Sequence, residues 1–215
     1  MADWRWALWP AGSLHGRLVH SRRVRALVTH FSELIPPGHT VLDVGCGDGL
    51  IDELIVKQRP DLQVAGVDVH VRPNARIAVT PFDGTSLPFG SGSWDTVMFC
   101  DVLHHTEDPV PLLRAAARVA RQRVIIKDHI VEGRLARATL RLMDVVGNAP
   151  HGVRLTYNYL TPEQWDDAVR LGGLRLERMR RQLNLYPSWA DKLFGRSLHF
   201  IAVYEIAGRT PDPPP

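Results

Sequence analysis

The sequence predicts an α/β domain built on a doubly wound sheet of about seven strands, mostly parallel, with helices on both faces. Three observations predict it. Short apolar runs alternate with helix-length amphipathic segments at close spacing, the pattern of a parallel sheet with crossover helices. One run, Val41-Leu42-Asp43-Val44, passes through Gly45-Cys46-Gly47-Asp48-Gly49 into a helix start at Leu50. A strand, a glycine turn and a helix N-terminus in that order form the nucleotide-binding start of many α/β domains. The 215 residues, 45% hydrophobic, are enough for one sizeable core, so one domain over 1–208 is expected, followed by a proline-rich, disordered 209–215.

From Ser21 to Ile35, apolar residues at Val24, Leu27, Val28, Phe31 and Leu34 share one helix face, and Pro36-Pro37-Gly38 stops the helix. Upstream, Trp4, Trp6 and Trp9 cluster around Arg5, with Pro10 following. They are open to three readings: a lid over the cleft, a weak membrane-surface contact, or a segment packed on the domain. The first strand then leads into the turn and a helix to Arg59 with Leu50, Ile51, Leu54 and Ile55 on its face. Leu62 to Asp68 is the second strand and Ile77 to Phe82 a short third. The fourth is Thr96 to Cys100, and Asp108-Pro109 opens a helix with Leu112, Leu113, Ala116 and Val119 on one face. Arg123 to Lys127 is the fifth strand.

Beyond it the alternation is interrupted. Leu135, Leu142 and Val146 share a face of an inserted helix ending at Gly147-Asn148, and 149–160 reads as irregular. Thr161-Pro162-Glu163-Gln164 is a capping box with proline at the first helical position, and Gly172-Gly173 ends that helix. Leu174 to Met179 and Ser197 to Ile206 read as two final strands.

The glycine turn carries acids where a dinucleotide site offers bare N–H groups to a pyrophosphate. Asp43 precedes it and Asp48 lies within it, while Leu50 stands where the dinucleotide fingerprint needs its third glycine. Carboxylates there suit a cation. With those residues in view, Val41 to Gly49 resembles motif I of class I S-adenosylmethionine-dependent methyltransferases. The segments Phe82-Asp83-Gly84 with Leu87-Pro88-Phe89, and Asp101-Val102-Leu103-His104-His105, are similar to the branch grouped with quinone-biosynthesis methyltransferases. The resemblance covers about residues 39 to 129 well. It implies a Rossmann-like fold with the last strand antiparallel, S-adenosyl-L-methionine as cofactor and S-adenosyl-L-homocysteine as product. It also implies a cofactor site along Asp43, Gly45, Cys46, Gly47, Asp68, Val69, Asp83, Gly84, Cys100 and Asp101, with Asp83 near the adenine amino group. Asp68 closes its strand about 20 residues beyond the glycines, where a carboxylate accepts ribose hydroxyls. The resemblance makes 131–160 the wall of an acceptor pocket, while 1–38 is expected to form an N-terminal lid and helix.

With the strands so placed, each of the five parallel ones ends in or near a carboxylate: Asp43, Asp68, Asp83, Asp101 and Asp128. Ligands of open α/β sheets bind at that edge. His129, following Lys127-Asp128, is expected to face the cleft from the acceptor side as general base. Asp128 stands beside it, and His105 and Tyr157 are rivals for the role. Both histidines are equally readable as structural, with His104 as a packing residue. Asp101, Asp128, His129, Asn148 and His151 are of metal-ligand type, but at no specific spacing, and no metal is expected.

The formal charge of +3 and pI near 9.1 arise from scattered arginines without a like-charge block, which points away from a nucleic-acid partner. So does Cys100-Asp101-Val102-Leu103 where many base-amino methyltransferases carry Asn-Pro-Pro-Tyr. Two cysteines, one in the turn and one ending a strand, fit a reducing cytoplasm. No run reaches the ~20 apolar residues of a membrane span, and no signal-peptide pattern opens the chain. Methyl transfer to a small, possibly lipophilic molecule is expected, with O-, N- or C-methylation open. The alternatives are a protein that holds S-adenosylmethionine without turnover, or a nicotinamide-dependent oxidoreductase.

Overall fold

The strands are β1 (Thr40–Val44), β2 (Gln63–Asp68), β3 (Val79–Pro81), β4 (Trp94–Cys100), β5 (Ala120–His129), β6 (Leu174–Arg180) and β7 (His199–Ile206). They form one seven-stranded sheet of order β3-β2-β1-β4-β5-β7-β6. β1 to β5 are mutually parallel, while β7 runs antiparallel to both β5 and β6. The computed structural model is described for residues 9–133, 135–148, 158–187, 191 and 198–209, and for side chains other than those of 9–20, 142 and 144–148. Trp4, Trp6, Tyr157, His151 and the tail 210–215 lie outside the described residues, as do the side chains of Trp9, Leu142, Val146 and Asn148.

β3 and β5 depart furthest from the expected lengths, each for a reason of pairing. β3 is only Val79–Pro81 because it is an edge strand whose three residues are the ones in register with Gly66 to Asp68. β5 extends to His129 because β7 pairs along it, with His129 opposite His199.

The helices are α1 (Trp9–Leu34), α2 (Leu50–Gln58), α3 (Val110–Val119), α4 (Ala136–Asn148) and α5 (Pro162–Leu171). Period-2 alternation divides the strands between two cores. On one face Leu42, Val44, Val97, Phe99, Val124, Ile126, Phe200 and Ala202 pack with Leu113 and Ala116 of α3 and Trp165 of α5. On the other, Val41, Met98, Ile125, Ile201 and Val203 pack with Leu27 and Phe31 of α1 and Ile55 of α2. Phe31 is fully enclosed, a contribution of about 1.5–3 kcal/mol. The capping box forms as expected, with Thr161 Oγ1 accepting the Gln164 N–H and Gln164 Oε1 accepting the Thr161 N–H.

The inserted helix faces differently from the expectation. Leu135 precedes α4 and is 61% exposed, and the buried face is Ala136 and Leu140, with Met143 partly covered. These recur at i, i+4 and i+7, the helical stripe that meets the domain, whereas Leu135 falls one residue off it.

The alternation continues past the apolar residues. Ile125, Lys127 and His129 share the α1 face of β5, and His199, two residues before Ile201, has the same parity on β7. The C-terminal ends of β4 and β5 and the start of β7 therefore direct polar side chains toward α1.

Candidate functional site

The cofactor half is built at the ends of β1 and β2. The N–H groups of Gly45 and Cys46 both donate to Val67 O, at 2.7 and 3.3 Å. Asp68 closes the loop from the opposite side: Oδ2 accepts the Gly47 N–H and Oδ1 the His70 N–H, each at 2.8 Å. Each oxygen keeps a second lone pair, acceptor capacity of the kind that paired hydroxyls use. Gly45 has φ +79°, and a Cβ there would lie 2.6 Å from Val102 Cγ2. The turn is thus pressed against the segment after β4, and only glycine fits. Val69, 60% exposed, stands beside Gly84, so the apolar side chain and the Asp83-Gly84 loop form one margin of the cleft. Asp83 Oδ1 accepts the N–H groups of Thr85 and Ser86 and the Thr85 hydroxyl. Those bonds hold its carboxyl below the usual carboxylate range.

Asp48 turns its carboxylate to the start of α2 and to Arg76. Its Oδ1 accepts the Leu50 N–H at 3.2 Å and Oδ2 faces Arg76 Nε at 3.6 Å. Asp43 is buried near the end of β1, and its Oδ1 has no hydrogen-bond partner among the described residues. Burial, then the proximity of Asp52, raises its carboxyl well above the ordinary range. Cys46 and Cys100 are free thiols, and burial pushes both upward and out of the reactive range.

A second polar cluster lies over β4 and β5. Asp101, immediately after β4, has φ +60°. That left-handed conformation costs a non-glycine residue about 1–2 kcal/mol. Its carboxylate is held by Arg23 of α1 on one oxygen and Lys127 of β5 on the other. Burial opposes its charge, but Lys127 and Arg23 keep it well below the usual carboxylate range. Lys127 Nζ also donates toward His199 Nδ1 at 3.4 Å, and Tyr186 OH lies 3.5 Å from His199 Nε2.

Asp128 is wholly enclosed. It accepts the Leu103 N–H on Oδ2 at 2.9 Å, and on Oδ1 His104 Nδ1–H at 2.6 Å and the His129 N–H at 2.7 Å. Burial works against its charge, yet the His104 charge and hydrogen bond hold it low. His129 is 4% exposed, with Nδ1 3.3 Å from Asp128 Oδ1 and 3.4 Å from His104 Nδ1. Burial and then the His104 charge lower its pKa to about 4, so at neutral pH it is uncharged. Trp165 Nε1–H donates to His129 O at 2.9 Å. His105 is half-buried on the short 3-10 turn Leu103–His105, its ring 4.0 Å from that of His104. The insertion reaches the same place, where Tyr159 stacks near His104 and the Asn158 N–H donates to His104 O at 3.2 Å.

The structure therefore brings Asp101, Asp128 and His129 together with His104, whose pairing with Asp128 the sequence alone does not reveal. One donor atom from each of the four lies within 4.8 Å of the others. The edge of a tetrahedral site at ordinary metal–nitrogen lengths is roughly 3.3 Å, and the two carboxylates already face Arg23, Lys127 and His104. A divalent ion would add two charges to a buried group that is balanced without it, so a hydrogen-bonded ion cluster describes the four better than a metal set. Arg23, Asp52, His199 and Tyr186 also escape sequence reasoning. Lys127 left a signal, a cation ending the apolar run Val124-Ile125-Ile126, which demands a buried partner.

A family model described as a methyltransferase domain matches residues 16–178. The chain belongs to the methyltransferase family. This methyltransferase is 34% identical over 97 residues to an uncharacterized methyltransferase of Mycobacterium sp. (strain KMS), an alignment covering 42% of this chain and 38% of the relative. The chain thus matches well under half the length of that curated relative. A ubiquinone biosynthesis O-methyltransferase of Xanthomonas axonopodis pv. citri (strain 306) is 26% identical over 186 residues, covering 75% and 72% of the two chains. Among solved structures, the methyltransferase in a Haloferax volcanii complex with the Trm112 methyltransferase activator superposes with a TM-score of 0.64 at 17% identity, covering 93% and 97%. That last likeness concerns the fold.

The resemblance of Val41 to Gly49 to motif I implies S-adenosylmethionine as cofactor, with S-adenosylhomocysteine as product. The residues present fit it: a turn packed tightly at Gly45, an Asp68 carboxylate able to accept hydroxyl donors, and buried acids beneath, which suit a cationic ligand. A nicotinamide dinucleotide fits poorly, since acids line the turn and Leu50 occupies the third glycine position.

Proposed function

We propose that the protein transfers a methyl group from S-adenosylmethionine to a small, lipophilic acceptor bound over the ends of β4 and β5. When bound, the cofactor supplies an electrophilic methyl on sulfur, and transfer to oxygen, nitrogen or carbon leaves S-adenosylhomocysteine and a proton to be removed. The observation that carries the reading is the alignment of Asp43, Asp68, Asp83, Asp101 and Asp128 along one sheet edge, with the glycine turn tied to Asp68.

In this reading Asp43, Gly45, Cys46, Gly47, Asp68, Val69, Asp83 and Gly84 hold the cofactor, and Cys100 and Asp101 lie where it meets the acceptor. Asp101, fixed by Arg23 and Lys127, orients rather than titrates. His105 is the base open to an acceptor, while His129 and Asp128 form a buried relay with His104 that positions it. Burial of His129 supports this assignment over direct proton removal by His129. Tyr157 remains a candidate on the sequence alone. The N-terminal 1–38 would cover the site and 131–160 wall the acceptor, for which the contacts of Asn158 and Tyr159 with His104 speak. The free thiols accord with a cytoplasmic location, and no described helix is long and apolar enough to cross a membrane.

Calorimetric titration with S-adenosylmethionine and with NAD tests the cofactor assignment, and preference for NAD would overturn it. Cell extract incubated with protein and methyl-labelled cofactor, read by mass spectrometry, should yield a labelled small molecule. Tight binding with no labelled product across extracts would favour the holding protein without turnover.

A further inference from the structure

The carboxyl groups of Asp43 and Asp52 form a feature that the fold does not explain. Asp52 is in the first turn of α2, where most side chains face solvent or pack apolar surface, yet it is fully buried and directed at Asp43 near the end of β1. Neither Asp52 oxygen has a donor among the described residues, nor does Asp43 Oδ1. Two buried carboxylates in mutual contact with no donor between them cannot both be ionised, because like charges in that setting repel strongly and lack water. The groups facing the pair do not relieve this. Asp68 from β2 and Asp48 and Cys46 from the turn are acidic or weakly so, and α1 contributes apolar residues such as Phe31 to the cluster around Ile55. Among the described residues, what favours the Asp52 charge is the hydrogen-bonded contact with Asp43 and the N-terminal end of α2 itself.

We propose that Asp52 is a cofactor-site residue, forming with Asp43 a carboxyl pair that holds a single proton and releases it to solvent when S-adenosylmethionine binds. The inference rests on the cofactor reading of this site. The pair is a surplus of buried acid, since the cations near the turn, Arg72 and Arg76, stand at Gly47 and Asp48 instead, whereas the cofactor brings a sulfonium and an ammonium against one carboxylate of its own. Its arrival supplies the positive charge that lets the second carboxyl ionise, and the dianion in turn attracts the ligand. Burial places the titration of Asp52 at about 7, so the exchange falls in the physiological range.

The linkage has a definite sign. Binding favours the deprotonated pair, so affinity rises with pH by up to roughly tenfold per unit below the titration and levels off above it. The test is calorimetry of S-adenosylmethionine binding at pH 6.5 in two buffers of different ionisation enthalpy, repeated from pH 6 to 8. The wild type should release between about half and one proton per site. Asp52→Asn keeps the shape and lets the amide donate to Asp43, and should bind with no proton release and nearly flat pH dependence. Infrared titration of the unliganded protein supplies a readout that needs no ligand: a protonated carboxyl band present in the wild type at pH 6 and absent from Asp52→Asn. Binding by the wild type without proton release would overturn the coupling alone. Equal release by wild type and variant would assign the proton elsewhere and remove Asp52. No binding of S-adenosylmethionine at any pH would overturn the cofactor reading and this coupling with it, while the infrared band would still report whether the pair holds a proton.

Discussion

Gly66 is the position where a single methyl group should do the most damage to the cofactor site. It lies in the middle of β2, paired with Asp43 of β1 and Val79 of β3, so its backbone is ordinary strand. A Cβ added there would stand 2.3 Å from Cys46 Sγ and 2.8 Å from Cys46 Cβ. Carbon–carbon contacts are optimal at about 3.5–4.0 Å, so the turn must retreat by about 1 Å. Rotating the thiol relieves the first contact but not the second, since Cβ moves only with the backbone. That backbone is tied by the Gly45 and Cys46 N–H groups to Val67 O, in the strand that carries the new methyl. Overpacking of this kind costs about 1–3 kcal/mol, and for a chain of this size each kcal/mol lowers Tm by about 2–4 °C. Gly66→Ala is therefore expected to melt about 2–12 °C lower and to bind S-adenosylmethionine at least tenfold more weakly, because displacing the turn breaks the Asp68–Gly47 contact. Thermal melting and calorimetry read the two effects. The double variant Gly66→Ala/Cys46→Gly removes both close contacts and should be less destabilised than the sum of the single changes. Additive losses, or Gly66→Ala indistinguishable from wild type, would refute the reasoning.

Other outcomes follow from the same geometry. Asp68→Ala removes the acceptor of the Gly47 N–H and of ribose hydroxyls and should weaken S-adenosylmethionine binding by about 1.5–3 kcal/mol; unchanged affinity by calorimetry would take Asp68 out of the site. Lys127→Met leaves Asp101 buried with one of its two cations and should cost about 3–5 kcal/mol in urea melts, with much of the loss recovered in Lys127→Met/Asp101→Asn. Failure of that recovery would mean the pair is not the cause. The pKa of His129, lowered to about 4 against about 6.5 unfolded, means the unfolded chain binds more protons between those values, so this residue makes stability rise with pH from about 4 to 6.5. The raised Asp52 acts oppositely, its stabilisation being complete at low pH and lost as pH rises toward about 7. Urea melts at pH 5 and 7 should show a smaller gain with pH in His129→Gln and a larger one in Asp52→Asn; the reverse order would invalidate both assignments. His105→Ala should lower kcat by about 10²–10⁴-fold while leaving cofactor affinity unchanged, and full turnover would return the role of base to His129 or to none.

The sequence by itself determined the sheet, the order of its elements and the row of acids, because each depends on neighbours in the chain. Strand alternation, the capping box at Thr161 and the glycine turn are local patterns, and parallel strands bring their C-terminal ends to one edge wherever the helices between them are short. Tertiary structure decided the chemistry of that edge. Arg23 reaches Asp101 across 78 residues and Lys127 reaches His199 across 72, pairings that no spacing announces. His129 looked like an open base because the fifth strand seemed to stop at Lys127, but pairing with β7 carries the strand on and buries the ring between Asp128 and His199. Nothing in the sequence singles out Asp52 in the first turn of its helix. Only the packing of α2 against the sheet turns it inward, because helix periodicity says which residues share a face, while the depth at which that face is buried depends on what lies opposite.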